Sequence, residues 1–345
     1  MARMALPGNP SVNNRGDANY RDTIAEIARL ARAWSGPIVI VAHVDPDGDA
    51  LGSTLALRRA LEALGKQVLL PMEPPRYLAF LAEEGELSPA LDALPAGTLL
   101  FVLDVADRNR VWGAPVRGAE RVVNIDHHGT NDRFGDLAVV EPGKAATALL
   151  IKELIEALGV AWTPAIATPC LTGILTDTGN FRYGNTDHEV LDAAGDLIDQ
   201  GVAYAELTDR LQWRHPNYFQ TLGRVMQTVR FALDGQLVMA DYTADMRADA
   251  EAADDDSDDF VGIIRYAEGA KVAVLLKERG DAVKVSVRTR GGVSAQAICL
   301  ELGGGGHVAA AGATIPGDLR AAEQAVMAAT ERELERRKGG TTGPS

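Results

Sequence analysis

Asp126-His127-His128 directly follows the apolar run Arg121-Val122-Val123-Asn124-Ile125. One acid and two imidazoles are thus presented together where a buried strand should end, and packing alone does not explain them. Three more acid-bearing stretches share this setting. His43-Val44-Asp45-Pro46-Asp47-Gly48-Asp49 follows a β-branched run, Asp104 closes Leu99-Leu100-Phe101-Val102-Leu103, and Asp177 lies in Leu175-Thr176-Asp177-Thr178-Gly179. Carboxylate oxygens mixed with neutral imidazole nitrogens suit a pair of divalent cations. The chemistry so indicated is metal-dependent hydrolysis. Each motif also has a plainer reading: an acidic turn before a helix capped by Asp49, a strand-end turn at Asp104, a surface loop acid at Asp177. The coincidence of all four favours the metal.

The elements that must hold these groups alternate strand and helix from residue 37. Pro37–Ala42, Gln67–Pro71, Thr98–Leu103 and Arg121–Ile125 are short, continuously apolar runs of strand length, and Ala50–Leu64 has helical spacing that stops at Gly65. A further helical segment is expected around Arg76–Leu81. Such alternation predicts a parallel sheet covered on both faces, with ligands gathered at the strands' carboxyl ends. His43, Asp104 and Asp126 all fall just past a strand run, so they point to one edge. Four helices are expected next, over 145–158, 164–175, 187–200 and 204–212, with a connecting helix over 215–229. A hairpin around Asp234-Gly235 opens a second α/β region. It continues with a helix over 258–268, strands over 271–278 and 282–289, a helix over 293–302, and a last helix over 319–337.

At 345 residues the chain suggests two domains. No apolar run is long enough to span a bilayer. Met1–Asn19 is polar and lacks the apolar core of a signal peptide, so a disordered tail on a cytoplasmic protein is expected. Cys170 and Cys299 sit in apolar helical settings and read as buried free thiols. The net charge of −14 argues against a protein that coats long duplex nucleic acid. Residues 241–260 carry nine acids against one arginine, whereas residues 265–312 carry seven bases against four acids. A small anion received by the C-terminal region fits this distribution. The acid run Asp254–Asp259 reads as a solvated loop and helix start, with no chemistry assigned.

In their order and spacing, His43-x-x-x-Asp47-Gly48-Asp49-x-x-Gly52-Ser53, Asp104, Asp126-His127-His128 and Asp177 resemble the four signature motifs of the DHH phosphoesterase superfamily. Gly303-Gly304-Gly305-Gly306-His307-x-x-Ala310-Ala311-Gly312 resembles the glycine-rich motif of the DHH-associated C-terminal domain. The match runs through about residues 20–335, and in size and domain order it is similar to the stand-alone NrnA-like enzymes.

The resemblance implies an α/β catalytic domain over 20–205, a helical linker over 206–230 and a smaller substrate-binding α/β domain over 231–338. Tails at 1–19 and 339–345 and an active site in the interdomain cleft complete this picture. It implies two Mn²⁺, with Mg²⁺ or Co²⁺ as substitutes. His43, Asp47 and Asp104 would hold one ion, and Asp49, Asp104, His127 and Asp177 the other, with Asp104 bridging. His128 is the candidate for contacting the scissile phosphate, with a role in orienting a ligand as its alternative. Asp126 is expected to orient His127, and Asp45 departs from the family pattern.

For substrate, Gly304, Gly305 and Gly306 would offer backbone N–H groups to a phosphate and His307 an imidazole. Ser286 and Arg288 alternate on one strand face, Arg288 matching a terminal phosphate with its planar fork, and Arg182 could reach the same anion. The implied substrates are short 5′-phosphorylated oligonucleotides and 3′-phosphoadenosine 5′-phosphate, and a homodimer is expected. Rival readings are a cyclic di-AMP or pApA phosphodiesterase, a RecJ-like single-strand DNA exonuclease, and a nucleotide-binding regulator without catalysis. An inorganic pyrophosphatase shares the first motifs but lacks the glycine-rich element.

Overall fold

The computed structural model describes residues 17–250, 257, 259–306 and 308–339, and the chain divides into two units between Trp213 and Arg214. The expected N-terminal tail lies outside the described residues as far as residue 16; Asp17 already begins a helix. Among the described residues no helix is long and apolar enough to cross a membrane.

The first unit runs α1 (Asp17–Ala33), β1 (Ile38–His43), α2 (Gly48–Ala63), β2 (Val68–Leu69), β3 (Leu99–Leu103), β4 (Val111–Trp112), β5 (Arg121–Asp126) and β6 (Leu137–Val140). Four helices follow: α3 (Thr147–Ala157), α4 (Pro164–Asp177), α5 (His188–Asp199) and α6 (Tyr204–Gln212). Five strands pair in parallel in the order β2-β1-β3-β5-β6, and β4 adds antiparallel against Ala42 and His43. The order reverses between β1 and β3. That reversal opens a crevice at the carboxyl ends of those strands.

Alternate residues of the central strands enter separate cores. Ile38, Ile40 and Ala42 pack with the helices, while Val39 and Val41 join Leu100, Val102, Val105, Ala114 and Phe134. The second face is covered by irregular segments rather than by helices. Within α2, Leu51, Leu55, Leu57 and Leu61 are fully buried, each contributing about 1.5–3 kcal/mol. A Cβ on Gly52 would stand 2.3 Å from the Pro169 carbonyl, so α2 and α4 meet backbone to backbone only because residue 52 has no side chain. The segment Arg76–Leu81 is a 3₁₀ helix rather than an α-helix.

The second unit contains α7 (Pro216–Met226), β7 (Arg230–Ala232), β8 (Leu237–Tyr242), α8 (Ala244–Ala250), α9 (Phe260–Ile264), β9 (Val272–Arg279) and β10 (Ala282–Thr289). It ends with α10 (Ala295–Glu301), β11 (Gly305–Gly306), β12 (Ala310–Pro316) and α11 (Leu319–Gly339). Its sheet has the order β11-β12-β10-β9-β8-β7, antiparallel except between β8 and β9. Leu233, Asp234 and Gly235 turn the β7–β8 hairpin with positive φ. The helix expected over 258–268 is shorter than its pattern. Of the acid run 254–259 only Ser257 and Asp259 are described, and Asp259 accepts from the Tyr218 hydroxyl and pairs with Arg214, both at 3.1 Å. Cys170 and Cys299 are free and buried.

Candidate metal centre

His43 closes β1 with its Nδ1 2.8 Å from the Val44 carbonyl, which turns Nε2 toward Asp104 Oδ2 at 3.6 Å and Asp47 Oδ1 at 3.9 Å. Asp45, exposed and left-handed at φ 56°, bends the chain away from the strand. The helix cap is Asp47, not Asp49. Its Oδ1 accepts the N–H groups of Asp49 and Ala50 at 3.0 and 3.1 Å. Asp49 is the second residue of the helix, within its first turn, and is fully buried. Its Oδ2 accepts the Thr147 N–H at 2.6 Å, and its Oδ1 accepts the Ala148 N–H at 2.8 Å and the Ser53 hydroxyl at 3.1 Å. Those two amides open α3, whose own N-cap residue Ala146 has no capping side chain. The missing cap thus comes from α2.

Asp104 leaves β3 in the left-handed region at φ 59° and is 3% exposed. Its two oxygens face different neighbours. Oδ2 is the atom near His43, whereas Oδ1 lies 3.7 Å from His127 Nε2 and 3.5 Å from His128 Nδ1. His127 Nδ1 sits 3.1 Å from the Lys144 carbonyl; a ring N–H donated there leaves Nε2 with its lone pair toward Asp104 and Asp177, the latter at 3.3 Å. Asp177 is the last residue of α4, a partly buried helix terminus rather than a surface loop acid.

Asp126 departs from its expected partner. It orients His128, accepting the His128 N–H at 3.1 Å and pairing with His128 Nδ1 at 2.7 Å. The i, i+2 spacing lets a strand-end carboxylate fold back on the second histidine, while the first points to the Lys144 loop. Asn131 fixes the other oxygen of Asp126 at 2.7 Å and is itself held against Asn124 and the Val105 carbonyl.

The cluster is short of positive charge. Burial and the charges of Asp104 and Asp47 push the Asp49 carboxyl well up, and burial with Asp49, Asp47 and Asp104 does the same to Asp177. Burial also opposes ionisation of Asp104, yet the imidazole of His43 3.6 Å away and the charges of His127 and His128 hold it down at about 2. Burial acts against a charged His43 but is outweighed by Asp104 and Asp47, which carry it up to about 9. His128 is raised in the same way, against burial, by Asp126, Asp104 and Asp47.

Three sets of donor atoms lie within 4.8 Å of one another: His43, Asp47 and Asp104; Asp49, His127 and Asp177; and Asp104, His127 and His128. All eight residues expected at this site in the first unit, Asp126 included, converge there. Their oxygen and imidazole donors, with buried acids that lack counter-charge, fit divalent cations.

Arg182 is exposed and donates from Nε to the Gly179 carbonyl at 2.7 Å, in a turn where Gly179, Asn180 and Phe181 all have positive φ. In the second unit the register aligns Gly305, Gly312 and Ser286 across β11, β12 and β10, placing Gly305 and Ser286 about 10 Å apart. Arg288 lies two residues along the same face as Ser286. Gly304 and Gly306 have packing reasons of their own: added Cβ atoms would stand 2.1 Å from the Gly312 carbonyl and 2.6 Å from Ala311 Cα. Nothing lies within 4 Å of a Cβ at Gly305. His307 lies outside the described residues.

Four supporting residues escaped the sequence reading: Thr147, Lys144, Asn131 and Asn124. The uncapped start of α3 was one readable sign, because a helix opening on Ala145-Ala146 needs a cap from elsewhere. Lys144 pairs with Glu153 at 2.7 Å and with Glu189, bracing the loop whose carbonyl meets His127.

Residues 37–174 match the DHH family, N-terminal domain, and residues 236–334 match the DHHA1 domain. The chain is 55% identical over 324 residues to the bifunctional oligoribonuclease and PAP phosphatase NrnA of Thermus thermophilus, covering 94% of this chain and 98% of the relative. It is 28% identical to the cyclic-di-AMP phosphodiesterase GdpP of Geobacillus thermodenitrificans, covering 85% of this chain and 46% of that protein. Among solved structures, an exopolyphosphatase-related protein from Bacteroides fragilis shares the fold, with a TM-score of 0.81 at 21% identity over 90% of this chain and 96% of that one.

Proposed function

The chain belongs to the DHH family and carries a DHHA1 domain, and on that premise we propose that it hydrolyses short 5′-phosphorylated oligonucleotides to 5′-mononucleotides and removes the 3′-phosphate of 3′-phosphoadenosine 5′-phosphate. One observation carries this reading. Asp104 turns one oxygen toward His43 and the other toward His127, the arrangement of a carboxylate shared by two cations. The 55% identity to the Thermus enzyme supports the choice of substrates. A cytoplasmic homodimer belongs to the same reading.

His43, Asp47 and Asp104 would hold one Mn²⁺ and Asp49, Asp104, His127 and Asp177 the second, with Mg²⁺ or Co²⁺ as substitutes. When bound, such a pair supplies an acidified water and neutralises charge on phosphoryl oxygens. The chain's own residues prepare the rest. The Lys144 carbonyl keeps the His127 proton on Nδ1, so Nε2 stays a donor atom. Asp126 holds His128 and favours its protonated form, which suits His128 to meet a phosphoryl oxygen with positive charge. We assign Arg288 and Ser286 to the substrate's terminal phosphate, with Gly304, Gly305, Gly306, His307 and Arg182 as further candidates.

The test is side-by-side kinetics with Mn²⁺ on 5′-phosphorylated di- to pentanucleotides, 3′-phosphoadenosine 5′-phosphate, pApA and cyclic di-AMP. Fastest turnover of the short oligonucleotides is expected. Preference for cyclic di-AMP would reassign the substrate, steady digestion of long single strands would favour an exonuclease, and nucleotide binding without turnover would end the catalytic reading.

A further inference from the structure

We propose that Thr147 is the positioning residue of the shared carboxylate: its hydroxyl fixes the rotation of Asp104 so that each oxygen serves a different donor set. The proposal rests on the two-cation reading above. Thr147 is fully buried at the first position of α3, and its Oγ1 lies 3.0 Å from Asp104 Oδ1. Facing an ionised carboxylate, a hydroxyl can only donate. Its backbone N–H meanwhile donates to Asp49 Oδ2 at 2.6 Å. One residue therefore holds two of the candidate ligands, each by a separate group.

The need for such a restraint follows from the torsions involved. The backbone of Asp104, in the left-handed region at φ 59°, decides where its Cβ goes. The terminal torsion of an aspartate is broad and roughly two-fold, so backbone and rotamer leave the carboxylate plane loosely set. Three imidazoles flank that plane. His127 Nε2 and His128 Nδ1 lie 3.7 and 3.5 Å from Oδ1, and His43 Nε2 lies 3.6 Å from Oδ2. A quarter turn would blur which oxygen faces which set. The Thr147 hydroxyl binds only Oδ1 and so holds the plane against that turn. A β-branched residue suits this task, because its χ1 in a helix is confined to about two rotamers. The backbone bond to Asp49 further fixes where the helix starts, so the hydroxyl is delivered from a braced position.

The experiment titrates Mn²⁺ into the metal-free full chain by calorimetry, with electron paramagnetic resonance to detect spin coupling between the two ions. It compares the wild type with T147V, which is similar in shape and keeps the backbone N–H, and with T147S, which restores the hydroxyl. Two ions per wild-type chain are expected, with T147V weakening binding about 10- to 100-fold, the scale for loss of a residue that orients a ligand. T147V should also lose the coupling signal, and T147S should recover both. Wild-type affinity and coupling in T147V, with only a lower unfolding temperature, would overturn the proposal and leave Thr147 a purely structural residue. Fewer than two ions on the wild type would instead defeat the two-cation reading. Should T147V not fold, T147A, which also keeps the backbone N–H and lacks the hydroxyl, is read in the same way.

Discussion

The two sheets place polar and unusual residues for different reasons. Around the carboxyl ends of β1, β3 and β5, the first unit gathers acids that repel one another, Asp49 and Asp177 on the neighbouring helices among them, and no strand needs them. In the second unit the glycines before β12 are unusual in sequence, yet Gly304 and Gly306 are demanded by close approach to that strand. An odd residue thus carries functional information only to the degree that the fold would be better off without it. By that measure Asp104, Asp177 and His127 speak strongly for chemistry. Gly305, Ser286 and Arg288 speak for it more weakly, and Gly304 and Gly306 hardly at all.

The sharpest way to break this contrast is Asp104→Ala. Turnover should fall by at least about a thousandfold, as when a main electrostatic stabiliser of the transition state is lost, and retained activity would remove the first unit's claim. Next, Arg288→Ala should raise KM about 10- to 100-fold with kcat little changed, the scale of one charge-assisted hydrogen bond. An unchanged KM would return Arg288 to the surface.

Gly306→Ala should then cost about 1–3 kcal/mol in denaturant unfolding, since φ is 136° and a Cβ would strike Ala311. Gly305→Ala should stay within about 0.5 kcal/mol of the wild type. If Gly305→Ala keeps stability but raises KM, that glycine's backbone approaches the substrate; an unchanged KM counts against it.

The smallest effect concerns pH without metal. The folded-state pKa of His43 is raised from 6.5 to about 9, so its stabilising contribution is complete below 6.5 and is lost as pH rises through 9. His128 is shifted in the same direction. Amide hydrogen exchange of the metal-free chain, corrected for its intrinsic pH dependence, should show protection falling over this window in the first unit and not in the second. A uniform response across the chain would contradict the assignment.

Much of the first unit was legible because its strands are buried on both faces and so read as continuous apolar runs ending in acids. That pattern alone brings His43, Asp104 and Asp126 to one edge. What stayed hidden depended on contacts distant in sequence. Thr147 reaches Asp104 across 43 residues, and Asp49 caps a helix 98 residues away; no local spacing encodes either. Asp126 holds His128 rather than the expected His127, because the strand pattern cannot tell which of two adjacent histidines turns back. Short elements such as β4 and β11 have two residues each, too few for any periodicity. The 3₁₀ turn over Arg76–Leu81 and the α-helix share an apolar spacing of three, so pattern alone does not separate them.

The Asp49 cap on α3 bears on how such a chain could age. The imidazoles and Asp177 could drift once selection for catalysis relaxed, because no fold element depends on them, and Asp47 could yield to another residue able to cap α2. Asp49 could not drift so freely, since its loss leaves two buried amides of α3 without partners. A substitution scan that scores soluble yield apart from turnover should find His127 and Asp177 intolerant only in turnover, and Asp49 intolerant in both. A descendant that had stopped hydrolysing anything would then still carry this one aspartate, as a fossil of the reaction.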